Sequence, residues 1–152
     1  MVLVLILLSP LFTSLVGQKA PDFTLASIDG EEFKLSDNFG KVIVLDIMTT
    51  TCPACIEEME HLRGIYSRYS PKDVMIITID IEGGDSNGDL MVFKSQHGEN
   101  WTFAIDTDGV ANKYKVSYIP TMVIIDRDGI IRYHGAGELS EHRLSQEIDK
   151  LI

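Results

Sequence analysis

Two periodicities organise the apolar positions of this chain. Phe23-Thr24-Leu25 and Phe33-Lys34-Leu35 alternate apolar with polar residues on either side of Asp29-Gly30. That pattern predicts a β-hairpin, because Asp-Gly accommodates the positive φ of a tight turn. Lys41 to Met48 is a mostly apolar run rich in Val and Ile, which predicts a central strand buried on both faces. Val74 to Ile79 reads as a second such strand. Trp101, Phe103 and Ile105 alternate as a short third. Thr121 to Ile125 is a fourth, which Asp128-Gly129 turns into an antiparallel partner over Ile130 to His134.

The second period is helical. From Pro53 to Tyr69, apolar side chains recur at Ile56, Met59, Leu62, Ile65/Tyr66 and Tyr69, and Pro71 ends the pattern. A polar, Gly-rich loop over Glu82 to Gly88 precedes a predicted helix from Asp89 to His97. Asp108 is positioned to cap a brief helix through Tyr114. Ser140 caps a last helix whose core face is Leu144, Ile148 and Leu151, with Leu139 and Leu144 placed for a hydrophobic staple. Alternating strands and helices, closed by a hairpin and a helix, predict an α/β domain. Its central mixed sheet is covered by helices on both faces.

Length and composition fit this architecture. The chain has 152 residues, 45% hydrophobic and 24% charged, and only 17 Gly plus Pro. That is one globular domain with room for a substantial core. The formal net charge of -10 argues against nucleic acid as a partner, since phosphate binding needs clustered Lys and Arg. Two cysteines exclude a disulfide-dense scaffold and a four-cysteine zinc site.

Residues 1–17 stand apart. They carry no charged side chain, and the run from Val2 to Val16 is interrupted only by short polar residues and Pro10. This stretch is short for a membrane span and long enough for the apolar part of an export signal or anchor. The expected division is therefore 1–17 as signal or anchor and 18–152 as the folded domain. The expected location is outside the cytoplasm, exported or membrane-anchored, with a cytoplasmic protein as the alternative.

The candidate chemistry lies where the first central strand runs into Cys52-Pro53-Ala54-Cys55 at a helix start. Cysteines three apart on a first helical turn can close a small disulfide ring. The first sulfur sits beside free N–H groups and the positive end of the helix dipole, which favour an anion. Pro53 suits the first helical position because its missing N–H costs nothing there. Cys55 falls one turn in, on the buried side. The roles that follow are Cys52 as attacking nucleophile and Cys55 as resolver of the mixed disulfide.

Lys41 to Glu58, taken with Tyr118-Ile119-Pro120-Thr121, resembles the thioredoxin superfamily. The opening Gly17 to Leu25 and the hairpin after it, an AhpC/TSA-like feature, are similar to the exported, often membrane-anchored TlpA/ResA-type thiol-disulfide oxidoreductases. The resemblance covers residues 17–152. It implies a thioredoxin-like fold, with a mixed sheet flanked by helices and an N-terminal hairpin extension. It implies that Pro120 is the cis-proline facing the dithiol, and that the Ile119 backbone pairs with an extended substrate. Thr51, Pro53, Ala54 and Thr121 complete the implied substrate contacts. Asp46, six residues before Cys52, matches the buried acid beneath the dithiol, which would relay a proton to or from Cys55. Glu58, three residues after Cys55, matches an acid common in the anchored branch. It lies on a helix whose other polar residues face water, which predicts a screened side chain. Two departures are specific to this chain: Thr51 stands where the family usually has Trp, and Pro53-Ala54 is an uncommon pair.

The implied activity is disulfide exchange with protein clients through the Cys52–Cys55 pair, with no other cofactor. A membrane-borne or thioredoxin-type electron donor and a monomeric state are expected. Two alternatives stand beside it. A peroxiredoxin-like peroxidase would use Thr49, three residues before Cys52, but Leu45 stands where those enzymes carry Pro, and the nearby Cys55 favours exchange. A non-catalytic thioredoxin-fold binding module is disfavoured by the intact dithiol and Pro120. A zinc half-site with His61 or His134 lacks a second pair of ligands. Asp85-Ser86-Asn87-Gly88-Asp89 imitates the start of a calcium loop, but Leu90 and Gln96 replace the required Gly and Glu, so it reads as a turn with a helix cap. Asn100-Trp101-Thr102 is a formal glycosylation sequon, with Trp101 expected in packing.

Overall fold

A computed structural model describes residues 14–152; most of the apolar stretch read as signal or anchor therefore lies outside the described residues. Among the described residues, seven strands and four α-helices follow in the order β1 (Thr24–Ala26), β2 (Glu32–Lys34), β3 (Val42–Met48), α1 (Pro53–Tyr69), β4 (Val74–Asp80), α2 (Asn87–His97), β5 (Thr102–Ile105), α3 (Val110–Lys113), β6 (Thr121–Ile125), β7 (Ile131–Ala136) and α4 (Glu141–Asp149).

β1 and β2 form the hairpin, with Leu25 opposite Phe33 and Gly30 at φ +86° in the turn. The other five strands make one sheet in the order β5-β4-β3-β6-β7. β3, β4 and β5 run parallel, and β6 and β7 run antiparallel to their neighbours. Every residue of β3 is buried, as its unbroken apolar run requires in a strand covered on both faces.

Side-chain alternation divides the core into two layers. Even-numbered residues of β3 (Val42, Val44, Met48) face α1, α2 and α4, against Met59, Leu62, Ile65, Leu90, Phe93, Leu144 and Ile148. Odd-numbered residues (Ile43, Leu45, Ile47) face the hairpin and α3, against Phe23, Leu25, Phe33, Val110 and Tyr114. Asp46 belongs by parity to the α1 side.

Several local expectations change in the folded chain. The domain takes in residues before 18: Leu15 is buried with the hairpin layer, and the Gly17 N–H donates to the Ile131 carbonyl at 2.8 Å. The carboxylate that satisfies the first N–H groups of α3 is Asp106, not Asp108, and the N-cap position itself is Gly109. The two Asp106 oxygens accept from the Val110 and Ala111 N–H groups at 2.9 and 3.0 Å. Asp108 instead accepts from the Thr24 N–H and pairs with Lys113, tying the hairpin to α3. The segment resembling a calcium loop is a capping box, in which Ser86 and Asp89 satisfy each other's backbone N–H groups. It starts α2 two residues earlier than the periodicity predicts. Trp101 is buried and stacks on Phe103.

Candidate active site

β3 delivers the chain to the start of α1 with Cys52 as the N-cap residue and Pro53 in the first turn. Cys52 is half-buried and Cys55 fully buried, and both are free thiols. The Cys52 Sγ accepts a hydrogen bond from the Cys55 N–H at 3.2 Å. A helix N-cap normally offers an oxygen to that orphan donor, and here a sulfur takes its place, where negative charge is favoured. Burial pushes the Cys55 thiol well above its ordinary value. The neighbouring Cys52 and the charge of Asp46 push the same way, and the Thr49 backbone opposes them.

The loop before β6 closes the site from the side. The Ile119–Pro120 peptide bond is cis, and the Ile119 carbonyl lies 4.0 Å from the Cys52 Sγ. Pro120 is buried, Thr121 begins β6, and Tyr118 beside them is 73% exposed. The Thr121 hydroxyl donates to the Tyr118 carbonyl, which fixes the bend of this loop. Of the other implied contacts, Thr51 and Pro53 are exposed and Ala54 is half-buried.

Two buried acids belong to this side of the sheet: Asp46, whose charge acts on Cys55, and Glu58, one turn beyond Cys55 on α1, on which Asp46 acts in turn. Asp46 projects from β3 into the α1-facing layer and is fully buried. Its Oδ2 accepts from the Thr78 hydroxyl at 3.0 Å, and its Oδ1 has no hydrogen-bond partner. Burial lifts its pKa to about 7, and the Thr78 bond holds it back from rising further. Glu58 is also fully buried, not screened by water as its helix pattern predicts. The reason is tertiary: the segment leading into α4 covers it, and the Leu139 N–H donates to its Oε2 at 2.7 Å. Burial lifts Glu58 to about 8, with the Leu139 bond opposing and the charges of Asp46 and Glu138 adding to the rise. His61 stands 4.0 Å from Glu58 and 3.6 Å from Glu138.

Sequence reading missed the second shore of the site. Thr50 and Thr51 donate to Asp85 and Glu82 at 2.6 and 3.2 Å, tying the loop before Cys52 to the loop after β4. Asp80 at the end of β4 is fully buried beneath them. Burial lifts it to about 7, opposed by the Glu82 N–H it accepts and helped by a hydrogen bond with Asp85 and by the charges of Asp85 and Glu82. Glu82 to Gly88 was legible only as a polar loop; nothing in it marks which strand end it meets. Thr78 and Trp101 were likewise missed as neighbours of Asp46. His134 points elsewhere, its Nε2 lying 2.7 Å from the Tyr114 carbonyl. Among the described residues no group of three His, Cys, Asp or Glu side chains is placed to hold a metal.

A thiol pair on the first turn of a helix, at the end of the central strand of this sheet, defines a thioredoxin-like oxidoreductase whose chemistry is dithiol–disulfide exchange. Residues 16–134 match the AhpC/TSA family, and the chain belongs to it. It is 30% identical over 137 residues to the thiol-disulfide oxidoreductase ResA of Bacillus anthracis, covering 90% of this chain and 78% of that protein. It is 28% identical to the thioredoxin-like protein YneN of Bacillus subtilis, over 88% of this chain and 78% of that one. Among solved structures, a Chlorobium tepidum protein assigned as the thiol:disulfide interchange protein DsbE superposes with a TM-score of 0.81 at 29% identity, over 90% of this chain and 96% of that one. A thioredoxin-like protein from Aeropyrum pernix superposes at 0.73 with 25% identity, over 85% and 89%.

Proposed function

We propose that Cys52 attacks client disulfides and Cys55 resolves the mixed disulfide, with Asp46 and Glu58 as the acids that take the Cys55 proton. The observation that carries this reading is the pairing at the helix start. A half-buried sulfur accepts the Cys55 N–H, while the partner sulfur is buried and feels the charge of Asp46, and Asp46 and Glu58 each keep one buried oxygen without a hydrogen-bond partner. The Cys52 thiolate bonds to one client sulfur, the client S–S bond breaks, and the second client sulfur leaves as a thiolate. Cys55 then gives its proton to a carboxylate and attacks the Cys52 sulfur. The first client thiolate leaves and Cys52–Cys55 closes, so two electrons have passed to the client. The client strand lies along Ile119 beside Pro120 as an added strand, with Thr51, Pro53, Ala54 and Thr121 around it.

The dithiol itself carries the electrons, so this cycle calls for no further cofactor. A membrane-borne or thioredoxin-type dithiol donor returns the pair to its reduced state. Exchange is favoured over peroxide reduction because the resolving cysteine is one turn away, its own N–H already bonded to the Cys52 sulfur. Cys55→Ser is expected to accumulate client mixed disulfides through Cys52, and Cys52→Ser is expected not to. Equal trapping by the two variants overturns the division of roles.

We infer further that the chain acts as a monomer outside the cytoplasm, exported or anchored through the apolar residues ahead of Leu15, because that stretch has no charged residue. Among the described residues no helix is long and apolar enough to cross a membrane. Cell fractionation is expected to find the protein with membranes or outside the cytoplasm, and recovery only in the cytosol overturns this reading.

A further inference from the structure

We propose that Thr78 and Trp101 are positioning residues that reserve one oxygen of Asp46, Oδ1, as the seat of the proton lost by Cys55. The proposal deepens the reading of Asp46 as a proton acceptor and rests on it. Its basis is a chain of two hydrogen bonds inside the core. The Trp101 Nε1 donates to the Thr78 Oγ1 at 3.0 Å, and the Thr78 Oγ1 donates to the Asp46 Oδ2 at 3.0 Å. All three residues are buried, with Asp46 and Thr78 wholly inaccessible and Trp101 at 5%.

The direction of this chain follows from the donor inventory. An indole N–H only donates, so the Thr78 oxygen must accept from it. A hydroxyl has one proton, and its remaining partner is Asp46. That proton therefore points at Oδ2, which is fixed as an acceptor. A proton arriving at Oδ2 would meet the Thr78 proton head-on. Oδ1 has no hydrogen-bond partner and is the only oxygen free to be protonated. Trp101 cannot turn away, because its ring is stacked on Phe103 at 5.4 Å and packed against Tyr66 at 5.6 Å.

The titratable groups facing Asp46 are Cys55 and Glu58, both from α1. Its cross-strand neighbours, Thr78 on β4 and Met122 on β6, do not ionise. Among the described residues the Thr78 bond is thus the one polar contact that favours the ionised form of Asp46, in line with the lowering that it exerts against burial. Removing the hydroxyl, or freeing it to rotate and accept from a protonated Asp46, is expected to favour the protonated acid.

The test is a titration of the Asp46 carboxyl carbon by NMR in the reduced protein, beside single-turnover resolution rates across pH 5–9. Thr78→Val and Trp101→Phe are expected to move the Asp46 midpoint up by about one pH unit, the size of a hydrogen bond to a charged group. Thr78→Ser, which keeps the hydroxyl, is expected to leave it in place. A merely structural role would lower the melting temperature without moving the midpoint. Unchanged midpoints in both Thr78→Val and Trp101→Phe overturn the proposal. Thr78→Val alone decides it if Trp101→Phe fails to fold. Midpoints that move while Asp46→Asn leaves resolution unchanged at every pH retain the oriented acid and overturn instead the proton-acceptor role on which the proposal rests.

Discussion

The Leu139 N–H donates to Glu58 at 2.7 Å across 81 residues of sequence. That bond pins the middle of α1 to the approach of α4 and leaves Glu58 Oε1 buried without a partner. Only a carboxylate accepts a proton, so resolution is expected to rise in two steps, as Asp46 ionises near 7 and Glu58 near 8. Glu58→Gln keeps an acceptor for Leu139 and removes the charge. Stopped-flow resolution of a mixed disulfide should lose the upper step in that variant and keep the lower one. An unaltered profile excludes Glu58 from the proton path.

The same two acids set a sign for stability. Each has a folded value raised above its unfolded one, so between the two values the native state holds more protons than the unfolded state. Stability therefore falls as pH rises from about 4 through about 8. Melting temperatures measured from pH 5 to 9 should decline across this window. Asp46→Asn should flatten the decline and raise stability at the alkaline end, because it removes a buried acid that must otherwise ionise. A melting temperature that climbs with pH would contradict the burial of these groups as charged liabilities.

Limiting iodoacetamide on the reduced protein should label Cys52 before Cys55, since Cys52 is half-buried and Cys55 wholly inaccessible. Peptide mapping after short exposure reads the order. First labelling at Cys55 would reverse the assignment of the two sulfurs.

Leu15 is 9% exposed and packs with the hairpin layer. Leu15→Ala should cost about 2–3 kcal/mol, the lower part of the range for a buried leucine. Urea unfolding measures it, and a cost near zero would show that this residue adds nothing to the domain.

The periodicities of 2 and 3.6 were enough to find β3, the bounds of α1 and the two-faced core, because each is written in consecutive side chains. The N-cap position of Cys52 was equally local, following from a strand that ends at a Cys-Pro start. Asp46 was legible as buried because its neighbours along β3 are all apolar. Glu58 was not. Its helix neighbours face water, and its burial comes from Leu139, which nothing near Glu58 in sequence announces. The cap of α3 was misassigned for a related reason: Asp106 and Asp108 are both acids at plausible distances, and Asp108 is taken by Thr24 on a distant hairpin. The loop from Asp80 to Asp85 and the Trp101–Thr78–Asp46 chain depend on β3, β4 and β5 lying side by side in one register. Sequence thus determined the elements, the dithiol and its place at a helix end, since backbone dihedrals and side-chain parity are local properties. Tertiary structure alone decided which carboxyl groups are dry and which of their oxygens are free, because the partners of Asp46 and Glu58 lie 32 and 81 positions away.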